Sequence, residues 1–256
     1  MNVELPVSTL VAFLLVVVRV SAWLAVAPPF NTRAVPAVVK VALALALAMP
    51  VAPRLAATAP ALELFPLARA IFFQLAVGLV LGFLAQLLLA AVQAAGELID
   101  LASGFTLASL YDPLSNVTAS MFGRINQLVA ITLLFALDGH LMLVRGLLTS
   151  FEAFPLHPVS PSALAETVSA NVGRFFVAAL EIAAPVLAVL FLAELALGLV
   201  GRAVPSLNVF SMSFPIKILL TLSIAGLALT LLPGAVTSLL GRIMTEWSTA
   251  LKALGV

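Results

Sequence analysis

Two acidic residues, Glu97 and Asp100, are the first side chains in this sequence whose spacing could do chemistry. They are three positions apart, so on a helix they share one face. Two adjacent carboxylates away from bulk water must bind cations, share a proton or pair with basic residues of a partner. The sequence leaves these three uses open.

A second candidate is the triplet Asp138-Gly139-His140, in which a histidine lies beside a carboxylate inside an apolar run. Such a pair could relay protons through an apolar environment. A helix end that turns at Gly139 explains the same three residues equally well.

Enzyme motifs are missing from the sequence. His140 and His157 lie in different settings, so the HExxH pattern of metalloproteases is excluded, and no GxxxxGK[ST] loop is present to bind a nucleotide. The chain has no cysteine, which removes thiolate catalysis, disulfides and iron–sulfur clusters. The sequence therefore predicts a protein that is not an enzyme and that needs no cofactor or metal.

The composition is that of a membrane protein. Hydrophobic residues make up 63% of the chain and charged residues 9%, and the net charge of +1 offers no basic surface for nucleic acid. Residues 71–95 carry no charged side chain, and about 20 apolar residues suffice to span a bilayer. We expect membrane lipid, and not nucleic acid, around this protein.

The apolar residues fall into five or six runs, which are rich in Leu and Ala and apolar on every face, as expected for helices. The runs cover residues 7–26, 35–51, 71–95, 125–148, 175–201 and 218–240. Internal prolines and charges predict kinks. The predicted fold is all-α, with about six long, kinked helices arranged as hairpins. It forms a single membrane-embedded domain, residues 1–256, in which an N-terminal region of residues 1–165 precedes a C-terminal helical hairpin of residues 166–256.

Charged and small residues within the runs predict how the helices pack. Arg19 and Glu194 would cost ~2.5–3.5 kcal/mol each at a lipid-facing centre, so they should face a protein or aqueous interior, most simply in intersubunit ion pairs. Gly78 and Gly82 form a GxxxG pair that lets another helix approach closely. These glycines belong to a small, polar face of the third run: Gly78, Gly82, Gln86, Gln93, Gly96, Glu97 and Asp100. Lysines and arginines are balanced between alternate connections, so they define no orientation in the membrane.

A hydrophobic loop, residues 104–116, follows the third run. Gly104 permits backbone conformations closed to other residues, and Asp112-Pro113 marks a turn. The apolar residues between them are Phe105, Leu107, Leu110 and Tyr111. The loop either packs on its own helices or forms a constriction in a pathway.

The order and spacing of many residues between positions 19 and 243 resemble the flagellar FliR branch of the family of export-apparatus subunits of type III secretion systems. Early in the chain the resemblance is carried by Arg19, Ala27, Pro28, Arg33, Pro36, Lys40 and Pro53. The middle contributes Gly78, Gly82, Phe83, Ala95, Gly96, Glu97, Gly104, Asp112, Pro113 and Arg124. The later residues are Gly139, His140, Pro155, Pro185, Leu197, Gly198, Leu199, Arg202, Pro205, Asn208, Phe210, Phe214 and Pro215.

This resemblance implies a subunit of an export gate in the bacterial inner membrane, within the flagellar basal body. Its implied partners are FliP-like and FliQ-like subunits, with which it forms a channel, an attached FlhB-like subunit, and exported unfolded flagellar proteins. Loop 104–116 matches the family's plug, so its residues would close the pore: Gly104, Phe105, Leu107, Leu110, Tyr111, Asp112 and Pro113. In the second half, Arg202, Pro205 and Asn208 fall at the hairpin turn, where intersubunit contact is a further expectation. Gly139 and His140 favour the flagellar branch over the injectisome branch.

Other classes of protein compete with this interpretation. An ion-coupled secondary transporter would also use broken helices and intramembrane carboxylates, although the breaks here differ in length and chemistry and show no internal repeat. The equivalent subunit of a virulence injectisome and a purely structural membrane anchor are the remaining alternatives.

Overall fold

The computed structural model of the protein describes residues 6–32, 34–106, 120–156, 160–204, 206 and 208–253. Within these ranges there are seven α-helices and one 3₁₀ turn, Ala56–Thr58, and no strand. The helices are α1 Val7–Val26, α2 Ala37–Leu55, α3 Leu64–Ser103, α4 Met121–Ala136, α5 Gly139–Ala153, α6 Pro161–Ala203 and α7 Val209–Ala253. The predicted all-α fold class is confirmed.

Five helical segments in the described portion of the chain are long and apolar enough to cross a membrane. They are Val7–Val26, Ala37–Thr58, Leu64–Ser103, Leu164–Ala203 and Ser211–Arg242. The number rises to six if α4 and α5 together make one broken span. The protein is therefore an all-helical, multi-pass membrane protein.

The helix boundaries follow the predicted apolar runs, and some helices extend beyond their runs. Helix α1 has the bounds predicted from its apolar run, whereas α3 begins at Leu64 because Pro66 falls in its first turn, where a missing N–H costs no hydrogen bond. The fourth run breaks between α4 and α5. The left-handed residue at this break is Asp138, with φ 53°, and Gly139 is already the first residue of α5.

Prolines lie inside three of the helices. Helix α2 contains Pro50 and Pro53, α6 contains Pro185, and α7 contains Pro215 and Pro233. Each internal proline removes one backbone hydrogen bond, which favours a bend in the helix at that point.

The chain divides into two compact units. The first unit comprises Met1–Leu87, Asp138–Val172 and Leu240–Val256, and the second comprises Leu88–Leu137 and Gly173–Leu239. In the first unit, α1 packs on α2 and buries Leu15, Trp23 and Leu24. The second unit has a core made of Ala95, Ile99, Phe122, Ala183, Val186 and Leu190. The single membrane-embedded domain, with its division at residue 165, stays a prediction.

Candidate functional site

Arg19 lies in the middle of α1 and is fully buried in the first unit. Its Nε donates to Gln74 Oε1 of α3 at 2.7 Å. One terminal nitrogen donates to the carbonyl oxygen and the hydroxyl of Ser150, at 3.0 and 3.3 Å. The other donates to the carbonyl oxygens of Phe154 and Pro155, at 2.7 and 3.0 Å. A guanidinium has five N–H donors, so every one of them is used.

All five acceptors of Arg19 are neutral, and three of them are backbone carbonyls at the carboxyl end of α5. A helix exposes unpaired carbonyls and a partial negative charge at this end. The ring of Phe151, 4.2 Å from the guanidinium carbon, covers the group from one side. The end of α5 therefore supplies what a carboxylate supplies in an ion pair, and Arg19 ties α1 to α3 and α5.

The glycines of α3 lie where α1 crosses it in the first unit. A methyl group on Gly78 would overlap the carbonyl oxygen of Arg19, and one on Gly82 would lie 3.0 Å from the carbonyl oxygen of Trp23. Gly78 therefore has no room for a side chain, and a side chain on Gly82 would require α1 to shift by a few tenths of an ångström. Farther along the same face, Gln86 accepts a hydrogen bond from Asn31 at 3.1 Å.

The carboxyl end of α3 belongs to the second unit and forms the base of the hydrophobic loop. Asp100 is fully buried, and its Oδ2 accepts hydrogen bonds from the Ser120 hydroxyl and from the backbone N–H groups of Phe122, at 2.9 Å, and Gly123, at 3.4 Å. Ser120 is also the N-cap of α4, accepting from the Gly123 N–H at 2.8 Å. The carboxylate thus faces the positive end of α4.

Glycine packing continues at this junction. A methyl group on Gly96 would approach backbone atoms of Phe122 and Gly123 to 2.5 Å, so α3 and the start of α4 are in backbone contact. The amide of Asn126 adds a hydrogen bond to the Val92 carbonyl oxygen at 3.3 Å.

Glu97 and Asp100 occupy different surroundings although they share a helix face. Glu97 is exposed and accepts a hydrogen bond from Gln93 Nε2 at 2.9 Å. Asp100 Oδ2 accepts hydrogen bonds from Ser120 and the start of α4, whereas its buried Oδ1 has no hydrogen-bond partner among the described residues. Within the described ranges, no three histidine, aspartate or glutamate side chains lie close enough together to hold a metal ion.

Only the first residues of the predicted plug belong to the described portion of the chain. Gly104 has φ 92°, a left-handed conformation that glycine adopts without strain, and its N–H donates to the Asp100 carbonyl oxygen at 3.2 Å. Phe105 packs edge-to-face on Phe122, with ring centroids 5.8 Å apart, and contacts the core of the second unit. The other plug residues lie outside the described residues: Leu107, Leu110, Tyr111, Asp112 and Pro113.

The triplet Asp138-Gly139-His140 forms the break before α5. Asp138 is exposed, Gly139 is buried, and His140 is half-buried in the first turn of α5. The exposed carboxylate and the left-handed backbone of Asp138 fit a helix end better than a buried proton relay.

An ion pair joins α6 and α7 in the second unit. Lys217 Nζ lies 3.0 Å from Glu194 Oε1, and the lysine side chain is 11% exposed while that of the glutamate is 68% exposed. Arg202 is exposed in the last turn of α6, where a cation is favourable, and Asn208 caps α7 by accepting from the Ser211 N–H at 3.3 Å. Pro205 lies outside the described residues.

Several partners in these sites could not be named from the sequence. The spacing of Gln74 indicates an interior position, because it lies four residues before Gly78 and so extends the polar face of α3. No sequence pattern identifies the partners of Ser120 and Lys217, since each meets its partner through tertiary packing. The carbonyl acceptors of Arg19 carry no side-chain signal at all.

Comparison with known proteins identifies the family. The model of the bacterial export proteins, family 1, matches residues 10–243. The flagellar biosynthetic protein FliR of Bacillus subtilis (strain 168) is 35% identical over 212 residues, which cover 81% of this chain and 82% of the relative. FliR of Escherichia coli (strain K12) is 34% identical over 80% of this chain and 79% of its own length.

A relative from a different system aligns over a shorter stretch. The Yop proteins translocation protein T of Yersinia pestis is 33% identical over 147 residues, 56% of each chain. The flagellar relatives from Bacillus subtilis and Escherichia coli thus align over a larger share of the chain at similar identity. Because the family model covers nearly the whole sequence, this chain belongs to family 1 of the bacterial export proteins.

Proposed function

We propose that this protein is a subunit of the flagellar type III export apparatus and that it helps form the export gate of the bacterial inner membrane. The observation that carries this proposal is the alignment with flagellar biosynthetic proteins over about four-fifths of both chains. The multi-pass helical fold, with five or six candidate spans in its described portion, suits a gate embedded in a membrane.

In the proposed gate the chain assembles with FliP-like and FliQ-like subunits into a channel, and an FlhB-like subunit attaches to it. Unfolded flagellar proteins pass through this channel out of the cytoplasm. Exposed apolar residues such as Phe176, Phe191 and Leu199 on α6 give the chain ample surface for lipid and for neighbouring subunits.

Assembly is tested by co-expressing the tagged chain with FliP-like and FliQ-like subunits of the same host and purifying the tag in mild detergent. The proposal expects the three proteins to elute together. An unrelated multi-pass protein carrying the same tag is the control. Elution of the chain without the other two subunits, in preparations where FliP-like and FliQ-like proteins are stably present, would contradict the proposal.

Loop 104–116 acts in this proposal as a hydrophobic plug. Gly104 supports the idea, because the loop leaves α3 through a left-handed glycine. Phe105 packs on Phe122, so the first aromatic ring holds the base of the loop on the second unit. Apolar side chains exclude hydrated ions from a narrow pore until a substrate displaces them. The side chains assigned to the seal are Phe105, Leu107, Leu110 and Tyr111.

The plug is tested by replacing these four residues with serine and measuring ion leak through the co-expressed gate in membrane vesicles. The expected result is a clear increase in leak with unchanged amounts of assembled gate. A leak equal to that of the unmodified gate would refute the plug assignment while leaving the assembly proposal intact.

The equivalent subunit of a virulence injectisome is the second candidate, and the similarity to the Yop translocation protein T favours it. The shorter alignment, 56% of this chain against 81% for the flagellar relative from Bacillus subtilis, ranks it below the flagellar function.

A further inference from the structure

The carboxylate of Asp100 is the point where the two ends of the hydrophobic loop meet. Asp100 lies four residues before Gly104, where the loop begins, and its Oδ2 takes hydrogen bonds from Ser120, Phe122 and Gly123, which follow the loop. One buried oxygen therefore bridges positions that lie 20 to 23 residues apart in the chain.

The backbone of Asp100 takes part in the same junction. Its carbonyl oxygen accepts from the Ser103 hydroxyl at 3.1 Å and from the Gly104 N–H at 3.2 Å. The main chain of Asp100 thus accepts hydrogen bonds from the residues at the end of α3. Its side chain accepts from the N–H groups at the start of α4, which carry the positive end of the helix dipole.

We propose that Asp100 is a positioning residue for the plug: it fastens the start of α4 to the end of α3, so that the loop is held at a fixed base. The inference rests on the plug assignment made above. Asp100 acts on the plug through the loop ends that it joins.

The neighbouring contacts explain why the carboxylate is needed. The contacts of Phe105 with Phe122 and of Gly96 with the backbone of α4 are apolar. They resist separation of α3 and α4 but do not fix the orientation of one helix relative to the other. The charged hydrogen bonds to Asp100 are directional, and such bonds are about twice as strong as neutral ones. An asparagine would keep one oxygen to accept the N–H groups but would lose the charge that the helix terminus favours.

The first test measures ion leak in the assembled gate. Asp100→Ala is expected to raise the leak toward that of the four-serine plug variant, and Asp100→Asn to give an intermediate value. Glu97→Gln is the matched control, because Glu97 is exposed one turn earlier on α3, and it should leave the leak unchanged. A sealed gate with Asp100→Ala, together with a leaky plug variant, would overturn the positioning role alone.

The second test measures loosening of the loop base without reference to leak. The chain has no cysteine, so Ser103→Cys places one thiol in a fully buried position next to Asp100. In the assembled gate, labelling of this thiol by N-ethylmaleimide should be slow and should accelerate about tenfold or more when Asp100→Ala is added, the loss expected from one charged hydrogen bond.

A thiol elsewhere separates loosening from general unfolding. Ser150→Cys, buried in the first unit, should keep its slow labelling in the Asp100→Ala background. Equal acceleration at positions 103 and 150 would show that Asp100 only supports folding, and no acceleration at position 103 would show that it does not hold the base. Either result overturns the inference. Acceleration at position 103 alone, with an unaltered leak in the four-serine variant, would support the fastening and refute the plug.

Discussion

Replacing Arg19 by methionine should destabilise the first unit strongly, although the change removes a buried charge. Moving a charge from water into the protein interior is costly, so replacing buried ionic side chains by apolar ones of similar volume sometimes stabilises a protein. Arg19 differs because each of its five N–H donors has an acceptor in the protein. Those acceptors remain when the guanidinium is removed.

The magnitude follows from the acceptors that are left behind. The Ser150 hydroxyl keeps its hydrogen bond to the Leu147 carbonyl oxygen, and the Gln74 side chain can rotate. The carbonyl oxygen of Ser150 keeps the N–H of Phe154 as a donor, at 2.9 Å. The carbonyl oxygens of Phe154 and Pro155, which follow α5, lose the donors that Arg19 supplies. At about 1 kcal/mol for each of these two acceptors, Arg19→Met should cost about 2 kcal/mol. Net stabilities of proteins are typically only 5–15 kcal/mol.

Lysine at position 19 provides a graded test. Its ammonium group has three donors and cannot serve five acceptors that lie on α3 and at the end of α5. Arg19→Lys should therefore lie between the native chain and Arg19→Met, at a cost of about 1 kcal/mol.

The assay is unfolding of the purified full chain by titration with sodium dodecyl sulfate, followed by circular dichroism. Arg145→Met is the matched control, because Arg145 is exposed on α5 and should change the free energy of unfolding by less than about 0.5 kcal/mol. A stability of Arg19→Met equal to or above that of the native chain would refute the reasoning, since the released desolvation cost would then outweigh the lost hydrogen bonds.

Three further substitutions test the helix packing. Gly78→Ala should lower the midpoint of unfolding, because the added methyl group meets the backbone of α1. Gly173→Ala is the control: its methyl group meets nothing within 4 Å, so the midpoint should stay unchanged or rise. Equal midpoints for the Gly78→Ala variant and the native chain would contradict the α1–α3 contact. Gly96→Ala should reduce co-purification of the gate by separating α3 from α4, and normal recovery would show that this contact is dispensable. Glu194→Gln should destabilise the chain because it leaves the buried ammonium group of Lys217 unpaired. Adding Lys217→Met should restore part of the loss, and lack of restoration would show that the ion pair contributes nothing.

The apolar runs predicted the helices well because length and hydropathy decide which segments can span a membrane. Helix α1 needed nothing more. The extension of α6 back to Pro161 could not be predicted in the same way, since its first turns are polar and take their place from the rest of the fold. The break at Asp138 was marked by the sequence, but the residue that turns was expected to be Gly139. Tertiary packing decided between two adjacent positions.

The candidate sites show where local pattern stops being informative. Spacing placed Glu97 and Asp100 on one helix face, yet it could not show that Asp100 is the carboxylate that accepts hydrogen bonds from the start of α4. That contact depends on how the chain returns after a long loop. The sequence likewise required an interior place for Arg19, whereas its acceptors are backbone atoms that any residue could supply.

Export of flagellar filament protein by the host is the direct readout of a role in the flagellar export gate. The gene for this chain is deleted, and both swimming motility and filament protein in the medium are measured with and without a plasmid that expresses the chain. We expect the deletion to abolish both and the plasmid to restore both. Normal motility and normal filament protein in the medium of the deletion strain would contradict a role in the flagellar export gate.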